Sequence, residues 1–167
     1  MQIEKQKVNW STAVKISTLA IGAIILIAEY ALIQYFSQNL DSMYTFVILA
    51  LFLIFLYFVL QSPRYIVLTE KEIILQKLVG NLSIKRCDIE RIDDYTPDNS
   101  DVRRIGSSGF CGYIGKFSNN KIGNYTSFVC NYEQAFLIQT YQGKNYVFSC
   151  ENKELVINEL KKRNKWH

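Results

Sequence analysis

The stretch GSSGFCGYIGKF, Gly106 to Phe117, sets a glycine at every third position, with Lys116 directly after the last. Two readings compete. Backbone N–H groups freed of side chains can wrap an anion that a lysine neutralises, or glycines can let a strand bulge and approach its neighbour closely. The anion reading fails in detail. Ending the phosphate-loop pattern G-x-x-x-x-G-K-[ST] at Gly115-Lys116 puts Phe110 in its first glycine position and Phe117 in its hydroxyl position. A dinucleotide fingerprint must open a helix, whereas GYIGKF is aromatic and strand-like. Four triplets without proline cannot form collagen. The stretch is therefore read as sheet. Gly106 and Gly109 close a loop, Gly112 and Gly115 flank Tyr113-Ile114 where a strand turns against its neighbour, and Lys116 faces solvent.

Strand texture extends in both directions. Short apolar runs at Tyr65 to Leu68, Glu72 to Leu78, Leu82 to Lys85 and Ile89 to Asp93 precede the stretch, with Gly80-Asn81 as a two-residue hairpin turn. Tyr125 to Cys130, Ala135 to Tyr141 and Asn145 to Ser149 follow it, with Gln142-Gly143 as the last turn. Thr96 to Gly123 would be 28 residues without structure, which is uncommon in a compact domain. Tyr113 to Phe117 is accordingly expected to pair with Gly123 to Cys130 through Ser118-Asn119-Asn120, leaving Thr96 to Ser108 as a loop. The chain closes on KELVINELKKRN, Lys153 to Asn164. Val156, Ile157 and Leu160 share a face, Asn152 is the N-cap, and Lys161, Lys162 and Arg163 complement the dipole at its C-terminal end. Strands followed by one amphipathic helix describe a half-open barrel plugged by that helix.

The N-terminal third differs in kind. MYTFVILALFLIFLYFVL, Met43 to Leu60, runs 18 residues without a charge, roughly 27 Å of helix and close to the hydrocarbon thickness of a bilayer. Ile16 to Phe36 is also apolar but carries Glu29. A central acid costs on the order of 3 kcal/mol on insertion scales, and ten Leu, Ile and Phe residues return roughly 0.3–0.6 kcal/mol each. Two transmembrane helices, at about 14–36 and 43–61, are expected within residues 1–63. Lys5 and Lys7 ahead of an apolar core also resemble a signal peptide, but no small-x-small cleavage site follows. Lys5, Lys7 and Lys15 precede the first span, Arg64 and Lys71 follow the second, and the connecting loop carries only Asp41. Both termini are thus expected in the cytoplasm. Trp10, Tyr30, Tyr35 and Tyr44 fall at the interfacial belts.

The region from Arg64 to Arg163 resembles the bacterial pleckstrin-homology-like (PH-like) domains that stand behind a pair of transmembrane helices in small membrane proteins. The likeness is carried by GSSGFCGYIGKF, Lys121-Ile122-Gly123, TSFVCN at Thr126 to Asn131, and FLIQTYQGKNYVFS ahead of the helix. Where the family's pattern runs Ser-Pro, this chain has Ser149-Cys150. The resemblance implies an α+β fold: a helical hairpin, then a PH-like antiparallel β-barrel of about seven strands over residues 64–167, capped by a helix at about 153–164. It also implies a non-enzymatic binding or scaffolding module on a bacterial inner membrane, multi-pass, whose partner is another protein or a second copy.

No constellation for catalysis, cofactor or metal emerges from the sequence. Cys87, Cys111, Cys130 and Cys150 are 24, 19 and 20 residues apart with one histidine, His167, and read as small buried hydrophobes. Ser118-Asn119-Asn120-Lys121 matches the S-x-x-K of serine acyl enzymes without its companion elements. DDYTPDNSD, Asp93 to Asp101, lacks the glycine of a calcium loop and reads as solvated surface. Three of the 19 Lys and Arg and three of the 15 Asp and Glu precede Pro63, so the domain carries 16 basic against 12 acidic residues, or +4. That balance suits contact with anionic lipid, for which Lys161, Lys162 and Arg163 are the candidates, and offers nothing for nucleic acid. The loop that carries basic residues in lipid-binding PH domains is here Thr69-Glu70-Lys71-Glu72. Glu29, an ionisable group inside a span, is the candidate intramembrane functional residue. A small membrane enzyme or transporter accessory subunit built around it is the alternative function.

Overall fold

A computed structural model describes residues 4–36 and 42–164. The chain begins in a place the sequence did not signal. Glu4–Lys7 forms strand β1, which pairs antiparallel with β2 (Pro63–Leu68), from Glu4 opposite Leu68 to Lys7 opposite Tyr65. Between these two strands lie helices α1 (Thr12–Phe36) and α2 (Ser42–Leu60). The start of α1 and the end of α2 are therefore fastened side by side, with the Val8 amide donating to the Arg64 carbonyl at 2.9 Å. Ser11 caps α1, its hydroxyl accepting from the Val14 amide at 3.2 Å.

Among the described residues, one helix is long and apolar enough to cross a membrane, the segment Thr12–Tyr35 of α1. In α2 the apolar segment whose side chains are described runs Phe46–Leu60; the Tyr44 side chain and residues 37–41 lie outside what is described. The expectation of two spans is thus supported for α1 alone. On both helices large apolar side chains stand open, among them Leu19, Ile24 and Ile27 on α1 and Phe46, Leu53 and Ile54 on α2. A helix that is apolar all round belongs in a core or in lipid.

The strands form two sheets rather than a closed barrel, correcting the expected seven-stranded antiparallel barrel. One sheet has the order β1-β2-β3-β4, with β3 at Glu72–Lys77 and β4 at Asn81–Lys85. The other comprises β5 (Ile89–Asp94), β6 (Val102–Ser108), β7 (Tyr113–Asn119), β8 (Gly123–Val129), β9 (Ala135–Thr140) and β10 (Asn145–Ser149). Its order is β5-β9-β10-β8-β7-β6. Pairing is antiparallel except between β10 and β8, which run parallel. The reason is topological: β9 runs opposite to β8, and its hairpin partner β10 returns into the gap between them.

The main core lies between the sheets and helix α3 (Lys153–Asn164). Ile66, Ile73, Leu75 and Ile84 come from one sheet, Phe136, Ile138 and Phe148 from the other, and Val156 and Leu160 from α3. The expected N-cap is in place, Asn152 Oδ1 accepting from the Leu155 amide at 3.2 Å. A second cluster of Tyr95, Phe117, Tyr125, Val129, Leu137 and Val147 covers the opposite face of the six-stranded sheet. Burial on both faces is why β9 reads AFLIQT, nearly continuously apolar instead of alternating.

Three local expectations shift. The pairing of Tyr113–Asn119 with Gly123–Val129 is present, but its turn falls at residues 120–122, where Asn119 Oδ1 accepts from the Lys121 and Ile122 amides. The second half of the expected loop Thr96 to Ser108 is strand β6, whose exposed run VRRI hides its partner-bearing edge from any hydrophobic pattern. The β3–β4 turn is centred on Leu78-Val79 rather than Gly80-Asn81: Asn81 already pairs with Gln76, and Gly80 takes a positive φ of 76° at the turn's end.

Candidate functional site at the foot of the helical hairpin

The four glycines of GSSGFCGYIGKF are two nested pairs across one β-hairpin. Gly106 and Gly115 stand opposite each other on β6 and β7. A Cβ on Gly106 would lie 2.1 Å from the Ile114 carbonyl oxygen, and one on Gly115 would lie 2.2 Å from that of Ile105. Both have φ above +130°. Only glycine permits this approach of backbone to backbone. The inner pair closes the turn, the Gly109 amide donating to the Gly112 carbonyl at 3.1 Å. Spacing by three therefore reflects symmetry about the turn, and Gly106 belongs to a strand instead of closing a loop.

That turn is seated against both helices. Ser17 Oγ lies 2.8 Å from the Gly109 carbonyl, and the Cys111 amide donates to Thr18 Oγ1 at 2.8 Å. Phe110, at the tip, is 8% exposed and packs its ring 5.4 Å from Phe55 and 6.4 Å from Phe58 of α2, centroid to centroid. Trp10, Val59 and Phe128 complete the cluster with Cys111 and Ile114. Trp10 thus packs partly buried on the domain. Two further backbone bonds fix the entry to α1: Ser11 to the Cys130 carbonyl at 3.0 Å, and Glu151 to the Lys7 carbonyl at 2.8 Å. The domain is bolted to the hairpin at several points rather than hung from a linker.

At the other end of β6 and β7 sits a polar cluster. Asp101 accepts from Tyr95 and Tyr125 hydroxyls at 3.0 Å each, from Asn119 Nδ2 at 2.7 Å and from the Asp98 amide at 2.9 Å. Tyr132 stacks beside Tyr95 and Tyr113. Burial, with the neighbouring Asp101 charge, pushes the Tyr95 phenol up to about 12; Tyr125 and Tyr132 are raised further, again chiefly by burial. The segment expected to be solvated surface instead lays its last carboxylate into this network, while Asp98 holds Lys121 at 2.9 Å. A four-residue D-N-S-D turn close behind a tyrosine was the only local signal, and the remaining partners, Asn119 and Tyr125, lie 18 and 24 residues from Asp101 in sequence.

The cysteines divide. Cys111, Cys130 and Cys150 are buried and Cys87 is exposed. Desolvation lifts Cys111 to about 11 and Cys150 to about 12 and raises Cys130 as well, which keeps these thiols neutral and poor as nucleophiles. Among the described residues no three His, Cys, Asp or Glu side chains gather as metal ligands. Lys161 lies 3.8 Å from Asp93 and Lys162 lies 3.2 Å from Glu159; the Arg163 side chain is outside the described set. Glu29 is half-buried on α1, and its Oε1 is enclosed without a hydrogen-bond partner.

A sheet-rich domain closed by a C-terminal helix and fastened to an apolar N-terminal helix is the class of protein that fold and site together define. The family model of the bacterial PH domain matches residues 64–164, and the chain belongs to that family. No curated protein and no solved structure matches it.

Proposed function

We propose that this protein is a membrane-anchored PH-like module that binds or scaffolds other molecules at the cytoplasmic face of a bacterial inner membrane, with both helices spanning and both termini in the cytoplasm. One observation carries the reading: the Gly109–Gly112 turn is seated on α1 and α2. A domain so fixed holds one orientation to the bilayer and presents the same surface to every partner. The paired β1 and β2 bring the two ends of the hairpin to one side, and Lys5, Lys7, Lys15, Arg64 and Lys71 give that side the charge of a cytoplasmic flank. Partners are a recruited protein or a second copy, with anionic lipid as a contact. PH-like domains generally act as binding modules, and the proposed role includes no catalysis. Crosslinking in native membranes tests the reading: a discrete, reproducible adduct is expected, and background alone would sink it.

Glu29 favours a second reading, a small membrane enzyme or transporter accessory subunit, because an enclosed carboxylate oxygen without a partner is costly in a span. Glu29→Gln keeps the shape and removes the titratable group. Loss of the cellular phenotype with insertion intact would support this reading, and an unchanged phenotype would remove it.

A further inference from the structure

The β3–β4 turn carries two large apolar side chains that stand open among the described residues. Leu78 is 40% exposed and Val79 is 57% exposed. Their place is fixed by backbone: the Val79 amide donates to the carbonyl of Leu60, the last residue of α2, at 3.1 Å, and the Leu78 amide donates to Ser62 at 3.0 Å. The turn thus supplies a donor to a helix-end carbonyl that would otherwise lack one, and it lies level with the end of the apolar helix. Phe110 reaches the same foot of the hairpin but is covered by the rings of α2. Leu78 and Val79 instead stand open, as Leu56 and Tyr57 do near the end of α2.

The charge carried by the two chain segments that meet at the turn is of one sign. Lys77 precedes the turn, with its Nζ on Gln61 at 2.6 Å, Arg64 is exposed four residues beyond Leu60, and no Asp or Glu occurs from Leu60 to Thr69 or from Lys77 to Arg86. Apolar side chains at the end of a span, with basic residues beside them, match the boundary between acyl chains and anionic headgroups.

We infer that the Leu78-Val79 turn is a second, shallow membrane contact that dips into the leaflet where α2 ends, its occupant being lipid. The inference rests on the anchoring proposed above, and it adds a contact made by the domain itself. The turn gives the domain a footing of its own at the bilayer, beside the helices on which it is already seated.

The full chain, reconstituted in phosphatidylethanolamine and phosphatidylglycerol vesicles, tests this with one environment-sensitive fluorophore per molecule. Cys87 is the natural exposed thiol at the far end of β4, five strand residues or roughly 17 Å from the turn, and it reports the aqueous side. Val79→Cys with Cys87→Ser reports the turn, and Ile27→Cys with Cys87→Ser reports the middle of α1. Lipids carrying a shallow spin label should quench the Val79 probe at least about twofold more than the Cys87 probe, with its emission shifted to the blue. If the Ile27 probe is quenched by deep-labelled lipid while the Val79 probe behaves like Cys87, the lipid contact is wrong and the anchoring stands. If neither is quenched, the anchoring fails and takes this contact with it. A Val79 probe shielded from aqueous quencher yet untouched by spin-labelled lipid would mean that protein covers the turn, which also overturns the inference.

Discussion

The two ends of the β6–β7 hairpin are held by opposite chemistry. At the foot of the helices the Gly109–Gly112 turn is fixed by close backbone approach and aromatic packing, with two hydroxyls completing it. At the far end, Val102 pairs with Ser118, and beside it Asp101 gathers two tyrosines and an asparagine. The apolar end contains no group that titrates near neutrality and is set by shape. The polar end is set by directed hydrogen bonds, so its strength depends on the charge of its members. One hairpin thus joins a rigid seat on the two helices to a half-buried carboxylate network.

The severest way to break the comparison is Gly106→Ala. A methyl 2.1 Å from a backbone carbonyl, at a φ of 132°, has nowhere to move. A loss of about 4 kcal/mol or more is expected, seen as failure to obtain folded protein or as a collapsed melting temperature in detergent. Phe110→Ala acts only on the seat. Under the anchoring proposed above, where packing against a helix in lipid lacks the full hydrophobic gain, about 2–3 kcal/mol is expected, at or below the range for aromatic truncations. Protease susceptibility of the 109–112 turn should rise, while the polar end keeps its melting behaviour.

Alkali should separate the two ends. Tyr95 ionises near 10 in the unfolded chain and is raised to about 12 in the fold, with Tyr125 and Tyr132 raised in the same direction. The unfolded state therefore loses protons first. The stabilisation is complete below pH 10 and is lost as pH climbs toward 12 and beyond, at about 1.4 kcal/mol per pH unit for each tyrosine ionised only when unfolded. Chemical denaturation followed across that window should show the fall, and Tyr95→Phe should make it shallower; a pH-independent midpoint would contradict the account. Asn119→Ala is the smallest change. It removes one donor to Asp101 and the acceptor for the Lys121 and Ile122 amides, and about 1–2 kcal/mol is expected by denaturant titration.

The parts legible in the sequence were those whose cause is local. An uninterrupted apolar run gives helix and points to lipid, short apolar runs between turn residues gave β2 to β5 and β8 to β10, the improbable length of a loop from Thr96 to Gly123 gave β7, and Asn152 with Val156 and Leu160 gave α3. Strand β6 was missed because its exposed VRRI has no alternation to read, and β1 was missed because EKQK looks like a basic flank. Elimination of the phosphate-loop pattern correctly moved the glycines from chemistry to structure, but it assigned Gly106 the wrong partner.

By itself, the sequence determined the kinds of element, the apolar N-terminal helices and the family, because periodicity, composition and turn chemistry act over a few residues. Only the tertiary structure decided that Gly106 meets Gly115, that β10 enters parallel to β8, that Asp101 is gathered by Tyr95, Tyr125 and Asn119, and that Phe110 lodges against Phe55. Each of these is a meeting of residues that belong to separate elements, and the contact exists only once the backbone has brought those elements together.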